Sequence, residues 1–378
     1  MTHKERIAVA LAGEKPDRIP IFPIYDMGYM ATSTGRDIRD WATCSAQQRI
    51  QLIEDSFLLH GEIDGFVAHG GCNDDFVRNH QVEKFDEYWR VTSTATGEQY
   101  GLLPDGSRCS ANGHPLPAEG EHMGWESKIQ SPEDIDRFAD PIPTADEVEA
   151  GGRYWPIRHL AQKYPDYHFG NQCHSPMISA LSWCGGYVEG LTTMASEPEL
   201  FQLVMQRYVD IMRAYLPALK QAGAESTWFT SYYTGADTIS PETYAEVIFP
   251  LDYALCQVAK EAGLLVLNWY LGDLMPNLDQ VLELPIDALV LEQGRKGYDI
   301  DPVEIRKRVG PKFCLFGFGY ENDYCTFNRE GLTGELQRQI EGAGLNGAFI
   351  AGSPIIPPNA MPAAVDFYFG EARRLGVV

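Results

Sequence analysis

The chain is expected to fold as an α/β protein, a (β/α)₈ TIM-type barrel with a β-hairpin-containing insertion after the second strand. Three observations predict it. Eight short apolar runs recur along the 378 residues, at Ile19–Tyr25, Gly65–His69, Tyr167–Cys173, Thr227–Tyr233, Leu264–Tyr270, Ala288–Gln293, Phe313–Gly319 and Gly347–Ser353. Amphipathic stretches long enough for a helix separate the later runs, and a parallel sheet needs such crossovers. Nearly every run ends in a polar or ionisable residue, as expected where chemistry gathers at the C-terminal ends of barrel strands.

Taken in order, Thr2–Ala12 reads as a short helix with Thr2 as its cap, ended by Gly13 and Pro16 before the first strand. Ser45 caps a second helix from Ala46 to about Leu59, with Ile50, Ile53, Phe57 and Leu58 on one face. Residues from about 72 to 150 break the alternation. Tyr88–Thr94 and Glu98–Leu103 read as strands, with Thr96-Gly97 and Asp105-Gly106 as turns. This stretch is rich in Trp and Tyr, so it reads as a lid or partner surface on one continuous 1–378 domain. Beyond it, Ser196-Glu197-Pro198-Glu199 opens a helix to about Gln221, stopped by Gly223. Ser240-Pro241-Glu242 opens another to about Glu261, and Asp301-Pro302 a third, closed by Gly310-Pro311. Thr333–Glu341 and Met361–Arg374 are the last two.

Composition narrows the function. Hydrophobic residues make up 44% of the chain, enough for a large core. A formal net charge of −23 argues against nucleic-acid and anionic-membrane partners, both of which select a basic face. The start has no secretory pattern, and no run approaches the roughly 20 apolar residues that span a bilayer. The eight cysteines are scattered without a C-x-x-C pair, and a cytoplasmic setting is expected.

The strand ends supply candidate site residues. His69 and Glu292 are candidate acid/base groups, and Asp26 is a third acid at the mouth. His69, Cys173 and His174, together with Cys72, offer soft metal ligands, although Cys173 reads first as a buried core cysteine. Tyr232, Tyr233, Tyr270, Tyr320, Asn268, His174 and Ser353 are candidate substrate contacts. Alternation lets only one of Tyr232 and Tyr233 face the mouth. With Trp183, Trp228 and Trp269 nearby in the pattern, an aromatic or apolar small molecule is favoured over a sugar phosphate. The alternative is that these rings fill the core. Gly317-Phe318-Gly319 follows the seventh strand and lacks the third glycine of a dinucleotide fingerprint. It reads as close backbone approach.

Lys4-Glu5-Arg6, Ala10-Leu11, Gly13 and Pro16-Asp17-Arg18-Ile19-Pro20 resemble the opening of the uroporphyrinogen decarboxylase superfamily, and most resemble its corrinoid-dependent methyltransferase branch. Ser240-Pro241-Glu242, the glycine-bounded strand at 263–272 and Gly352-Ser353-Pro354-Ile355-Ile356-Pro357 agree in order and spacing. The resemblance implies the same barrel and methyl transfer involving a corrinoid on a partner protein. It also implies zinc in some members, held by His-x-Cys-Gly after the fifth strand and a further Cys after the eighth. Here those positions carry Asn268-Trp269-Tyr270 and Ser353, so the usual zinc ligands are replaced. The Arg-rich carboxylate grip of the decarboxylases is also missing, since Asp26-Met27-Gly28-Tyr29-Met30 stands in its place. The expectation is transfer of a methyl group from a small substrate, such as an aromatic methyl ether, to a corrinoid protein. A decarboxylase or lyase acting on a small non-porphyrin substrate, or a non-catalytic small-molecule-binding barrel, is the alternative.

Overall fold

The parallel sheet begins at β1 (Gly65–Val67) and continues, after an antiparallel excursion, with β6 (His168–His174), β7 (Ser226–Ser231), β8 (Leu265–Tyr270), β9 (Ala288–Val290), β10 (Cys314–Phe316) and β11 (Phe349–Ile350), each beside the next. The structure is a computed structural model that describes residues 1–61, 63–69, 71, 74–114, 127–292, 297–298, 300–317, 319–345, 347–352 and 355–377. Registers such as Gly65↔His168, Ser226↔Leu265 and Leu315↔Phe349 are parallel. Of the eight expected strands, seven form this sheet. The run at 19–25 is extended and joined by isolated bridges, with Ile21 paired to Ala351 and Tyr25 to Ile356. The carbonyl of Ile21 also accepts from the backbone N–H of Asp64, so the segment touches both edges of the sheet.

Side-chain contacts show how far the sheet curls. Phe22, Trp228 and Phe316 come from the 19–25 segment, β7 and β10, yet their ring centroids lie 5.2–5.9 Å apart. They belong to an inner cluster with Val67, Leu267, Trp269, Val290 and Ile350. Ile7 and Ala10 of helix His3–Leu11 join that cluster. The residues between them in sequence, such as Phe66, Phe169, Phe229, Val266 and Leu289, pack outward in a larger cluster with the helices. This is the two-residue period of a strand buried on both faces.

Local signals place the helices. Thr2 and Ser45 each form a capping box, with Glu5 and Gln48. Ser240 accepts from the backbone N–H of Thr243 at 3.1 Å, and Asp301 from that of Val303 at 2.9 Å. The helix expected from Ser240 to Glu261 carries an interruption. Pro250 has no N–H to return to the Glu246 carbonyl, and residues Tyr244–Ile248 widen into a π-turn. The Gln202 amide donates to the carbonyls of Glu246 and Val247 at 2.9 and 3.2 Å. Beyond this turn Asp252 is buried, and its carboxylate accepts from Ser175 at 2.8 Å.

The excursion between β1 and β6 differs from the expected hairpin. It holds a four-stranded antiparallel sheet, β2 (His80–Lys84), β3 (Trp89–Ser93), β4 (Gln99–Leu102) and β5 (Arg108–Cys109). The middle pair is the hairpin read from sequence. The outer strands carry few apolar residues, so their alternation was too weak to read. Gly317 does make a close approach: its N–H donates to Ile350, and a Cβ there would collide with Gln339. Among the described residues no helix is long and apolar enough to cross a membrane.

Candidate functional site

The C-terminal ends of five neighbouring strands converge. In β6, His168, Gly170, Gln172 and His174 share one face, because successive residues alternate. In β7, Trp228, Thr230 and Tyr232 do the same, and Gln172 donates to Thr230 at 2.7 Å. The His174 ring lies 5.5 Å from that of Tyr232, which lies 6.5 Å from Trp269 at the end of β8. Trp269 Nε1 donates to the buried carboxylate of Glu292, just past β9, at 3.2 Å. His69, just past β1, stands near enough to His174 for the two imidazoles to repel each other's charge.

The electrostatics of this group follow from burial. Burial, and then the neighbouring His174, push His69 down to about 4. Burial, and then Arg153, push His174 down to about 4. Both rings are therefore neutral at pH 7, each with one N–H and one acceptor nitrogen. Among the described residues His69 Nε2 and His174 Nδ1 have no hydrogen-bond partner. Burying an imidazole nitrogen unpaired is costly, and these two atoms belong to rings that stand close together at the strand ends. Burial, and then Glu292, raise the Tyr232 hydroxyl, which stays a donor.

Other expected site residues lie elsewhere. Asn268 and Tyr270 flank Trp269 and so face the outer layer. Asn268 donates to Ser231 at 3.1 Å, and the Tyr270 hydroxyl donates to the Thr234 carbonyl at 2.7 Å. A register offset of one residue moved them off the mouth. Cys173 likewise points outward from β6, opposite to His174, and bonds Thr227; burial pushes its thiol up to about 11. The His69, Cys173 and His174 ligand set is therefore not assembled. Among the described residues no three His, Cys, Asp or Glu side chains are grouped to hold a metal ion. Of the tyrosine pair, Tyr232 faces the site. Tyr233 is exposed in a left-handed conformation at φ 61° and packs on Tyr187 at 4.9 Å. Asp26 caps helix Met27–Ser33 through the Gly28 N–H at 2.6 Å; burial, and then Glu321, raise its carboxyl. Tyr320 lines a separate outer groove with Asp323, Asn328 and Glu335. Ser353 and Cys72 lie outside the described residues.

Sequence reasoning missed Arg153. A cavity of about 580 Å³ opens beside His174, lined by Arg153, Trp183, Tyr208, Met212 and Tyr215. Gly71, two residues past His69, lets the chain approach Arg153, whose Cα would sit 2.9 Å from a Cβ at that glycine. Gly151-Gly152 before the arginine was the available signal, with Gly152 at φ 67°.

Comparison with known proteins bears on this site. The uroporphyrinogen decarboxylase (URO-D) family profile matches residues 118–375. The chain belongs to the uroporphyrinogen decarboxylase family. No functionally curated protein matches it. Among solved structures, a methyltransferase from Methanosarcina mazei is similar over 99% of both chains, at TM-score 0.68 and 16% identity. A putative vitamin-B12-independent methionine synthase from Listeria monocytogenes is similar over 94% of this chain and 96% of its own, at TM-score 0.44 and 13% identity.

Within this uroporphyrinogen decarboxylase family member, the opening motif has a structural role. Buried Asp64, just before β1, accepts from Arg6 at 2.6 Å, from Arg18 at 2.7 and 3.0 Å and from the Ile21 N–H at 2.9 Å, and pairs with His3. Arg6 also bonds Asp17. The motif therefore anchors the N-terminal ends of the strands, away from the site. Asn268 and Tyr270, at positions where the resemblance implies zinc ligands, face the outer layer, Asn268 donating to Ser231 and Tyr270 to the Thr234 carbonyl.

Proposed function

We propose that this protein is a methyltransferase that removes a methyl group from a small aromatic methyl ether and passes it to a corrinoid carried by a partner protein. In this reading the 19–25 segment closes an eight-stranded barrel, and residues from about 72 to 150 form an insertion over its C-terminal end. One observation carries the proposal: two neutral, half-buried histidines present unpaired nitrogens beside an aromatic wall at the strand ends. The fold shared with the Methanosarcina mazei methyltransferase supports it.

The corrinoid supplies a strong nucleophile for the methyl carbon. The chain's part is to stabilise the oxygen that keeps the electron pair when the carbon–oxygen bond breaks. A histidine lowered to about 4 is not an acid at pH 7, so His69 and His174 act as neutral hydrogen-bond donors to that oxygen. Tyr232 and Trp269 flank the ring, and Glu292 holds the indole N–H, which fixes the wall. Zinc enters no step, because its ligands are replaced.

The test is a panel of methyl ethers incubated with and without a reduced corrinoid protein, followed by mass spectrometry of the demethylated product. Demethylation that depends on the corrinoid is expected. Turnover of no panel member, or equal turnover without corrinoid, rejects the reading. A decarboxylase draws on a different observation, the arginine in the adjoining cavity, and carbon dioxide release without corrinoid would establish it.

A further inference from the structure

The cavity beside His174 is lined by a cation, Arg153. Arg153 lies over the Tyr215 ring at 4.9 Å and near Tyr154 at 6.0 Å. Among the described residues no carboxylate forms an ion pair with it. Its neighbours are committed elsewhere: Arg158 forks onto Glu149 at 2.6 and 2.7 Å, and Arg207 pairs with Asp136. Of the two acids on the cavity wall, Glu147 is turned to cap Thr144 at 2.8 and 2.9 Å, and Asp140 sits exposed at the rim. The opposite wall is Trp183, Tyr208 and Tyr215, and the inner end is His174. A cavity of about 580 Å³ has room for a small molecule between Arg153 and His174.

We propose that Arg153 is a specificity-determining residue that binds the carboxylate of the substrate. The substrate is then a small aromatic carboxylate, its carboxylate at Arg153 among Trp183, Tyr208 and Tyr215 and its methoxylated ring against Tyr232, with the reacting end at His174 and His69. A guanidinium presents a planar fork that matches a carboxylate, and stacking on Tyr215 holds that fork in place. This replaces, from a different part of the chain, the arginines absent after the first strand. The reacting end rests on the methyltransferase reading above; the carboxylate contact does not.

The experiment is calorimetric titration of the purified protein at pH 7.5 with 4-methoxybenzoate and with its neutral isostere 4-methoxybenzamide. The acid is expected to bind at least about tenfold tighter, the scale of a hydrogen-bonded charge pair. Arg153→Gln should erase that preference while leaving amide binding unchanged, and Arg153→Lys should restore part of it. Thermal unfolding of each variant checks that it folds; the acid–amide comparison in the unaltered protein does not depend on either variant. Equal binding of acid and amide, binding of neither, or an acid preference that survives in Arg153→Gln overturns the proposal. Acid-selective binding without corrinoid-dependent demethylation upholds Arg153 and rejects the methyltransferase reading. Corrinoid-dependent demethylation of acids and amides at equal efficiency does the reverse.

Discussion

The two ends of the parallel sheet are built on opposite rules. At the N-terminal end, Asp64 is buried and both its oxygens are used, by Arg6, Arg18, His3 and the backbone of Ile21. At the C-terminal end, His69 and His174 keep unpaired nitrogens and no positive charge. Polar groups that bond one another stabilise the fold, whereas polar groups left unpaired destabilise it slightly and wait for something else. Both sets are polar, but Asp64 is enclosed and bonded within the chain, whereas the two half-buried histidines keep nitrogens unpaired among the described residues.

The strongest way to break the comparison is to remove Asp64. Asp64→Ala leaves Arg18 without its anion and Arg6 with Asp17 alone, and should cost about 3–5 kcal/mol in urea unfolding. Demethylation per folded molecule should not change. The reverse pattern is expected from His174→Ala or His69→Ala: about 10²–10³ lost in turnover, as for removal of one hydrogen-bond donor from a reacting oxygen, with the unfolding midpoint nearly unmoved. A large loss of stability in the histidine variants would erase the distinction.

pH separates the two ends by window. A histidine whose value falls from 6.5 to about 4 on folding binds its proton only in the unfolded chain between those limits. Stability from His69 and His174 is therefore whole above pH 6.5 and declines as pH falls toward 4. Burial alone would raise the Asp64 carboxyl, but His3, Arg18 and the Ile21 N–H together lower it. Glu54 behaves alike: burial would raise it, yet Lys163, Tyr164 and His159 bring it to about 2. The stability these carboxylates contribute is present above their ordinary values and is lost as pH drops below about 4. Thermal melts across pH should show two declines, and His174→Gln should shrink only the upper one. The smallest effect is expected from Thr2→Ala, which removes the cap of the helix under the sheet and should cost about 1 kcal/mol with turnover intact.

Much of this was legible in the chain. The order of strands, the caps at Thr2, Ser45 and Ser240 and the middle hairpin of the excursion rest on local pattern, and local pattern is what a sequence displays. His69, His174, Tyr232 and Glu292 come together in the structure because they stand at strand ends, and strand ends are legible in sequence. Asn268 and Tyr270 were misplaced because a strand ending locates a residue along the axis but does not say which side it faces, and β8 faces inward at Trp269. Arg153 was missed for another reason: it follows a long irregular stretch and reaches the site only through the folded chain, where Gly71 lets it approach. Its two preceding glycines were the only local sign.

The π-turn at Tyr244–Ile248 carries one more residue than an α-helix would need there. Losing one of those five residues would let the coil tighten to an α-turn with the downstream phase kept, whereas losing a residue from the α-helical stretch that follows, Phe249–Leu251, would swing everything downstream by about a quarter turn. Asp252 would then leave Ser175, and Leu255 and Cys256 would rotate out of the packed layer. The turn should accept many exchanges of side chain and the loss of a residue, whereas the helix after it should accept almost no change of length.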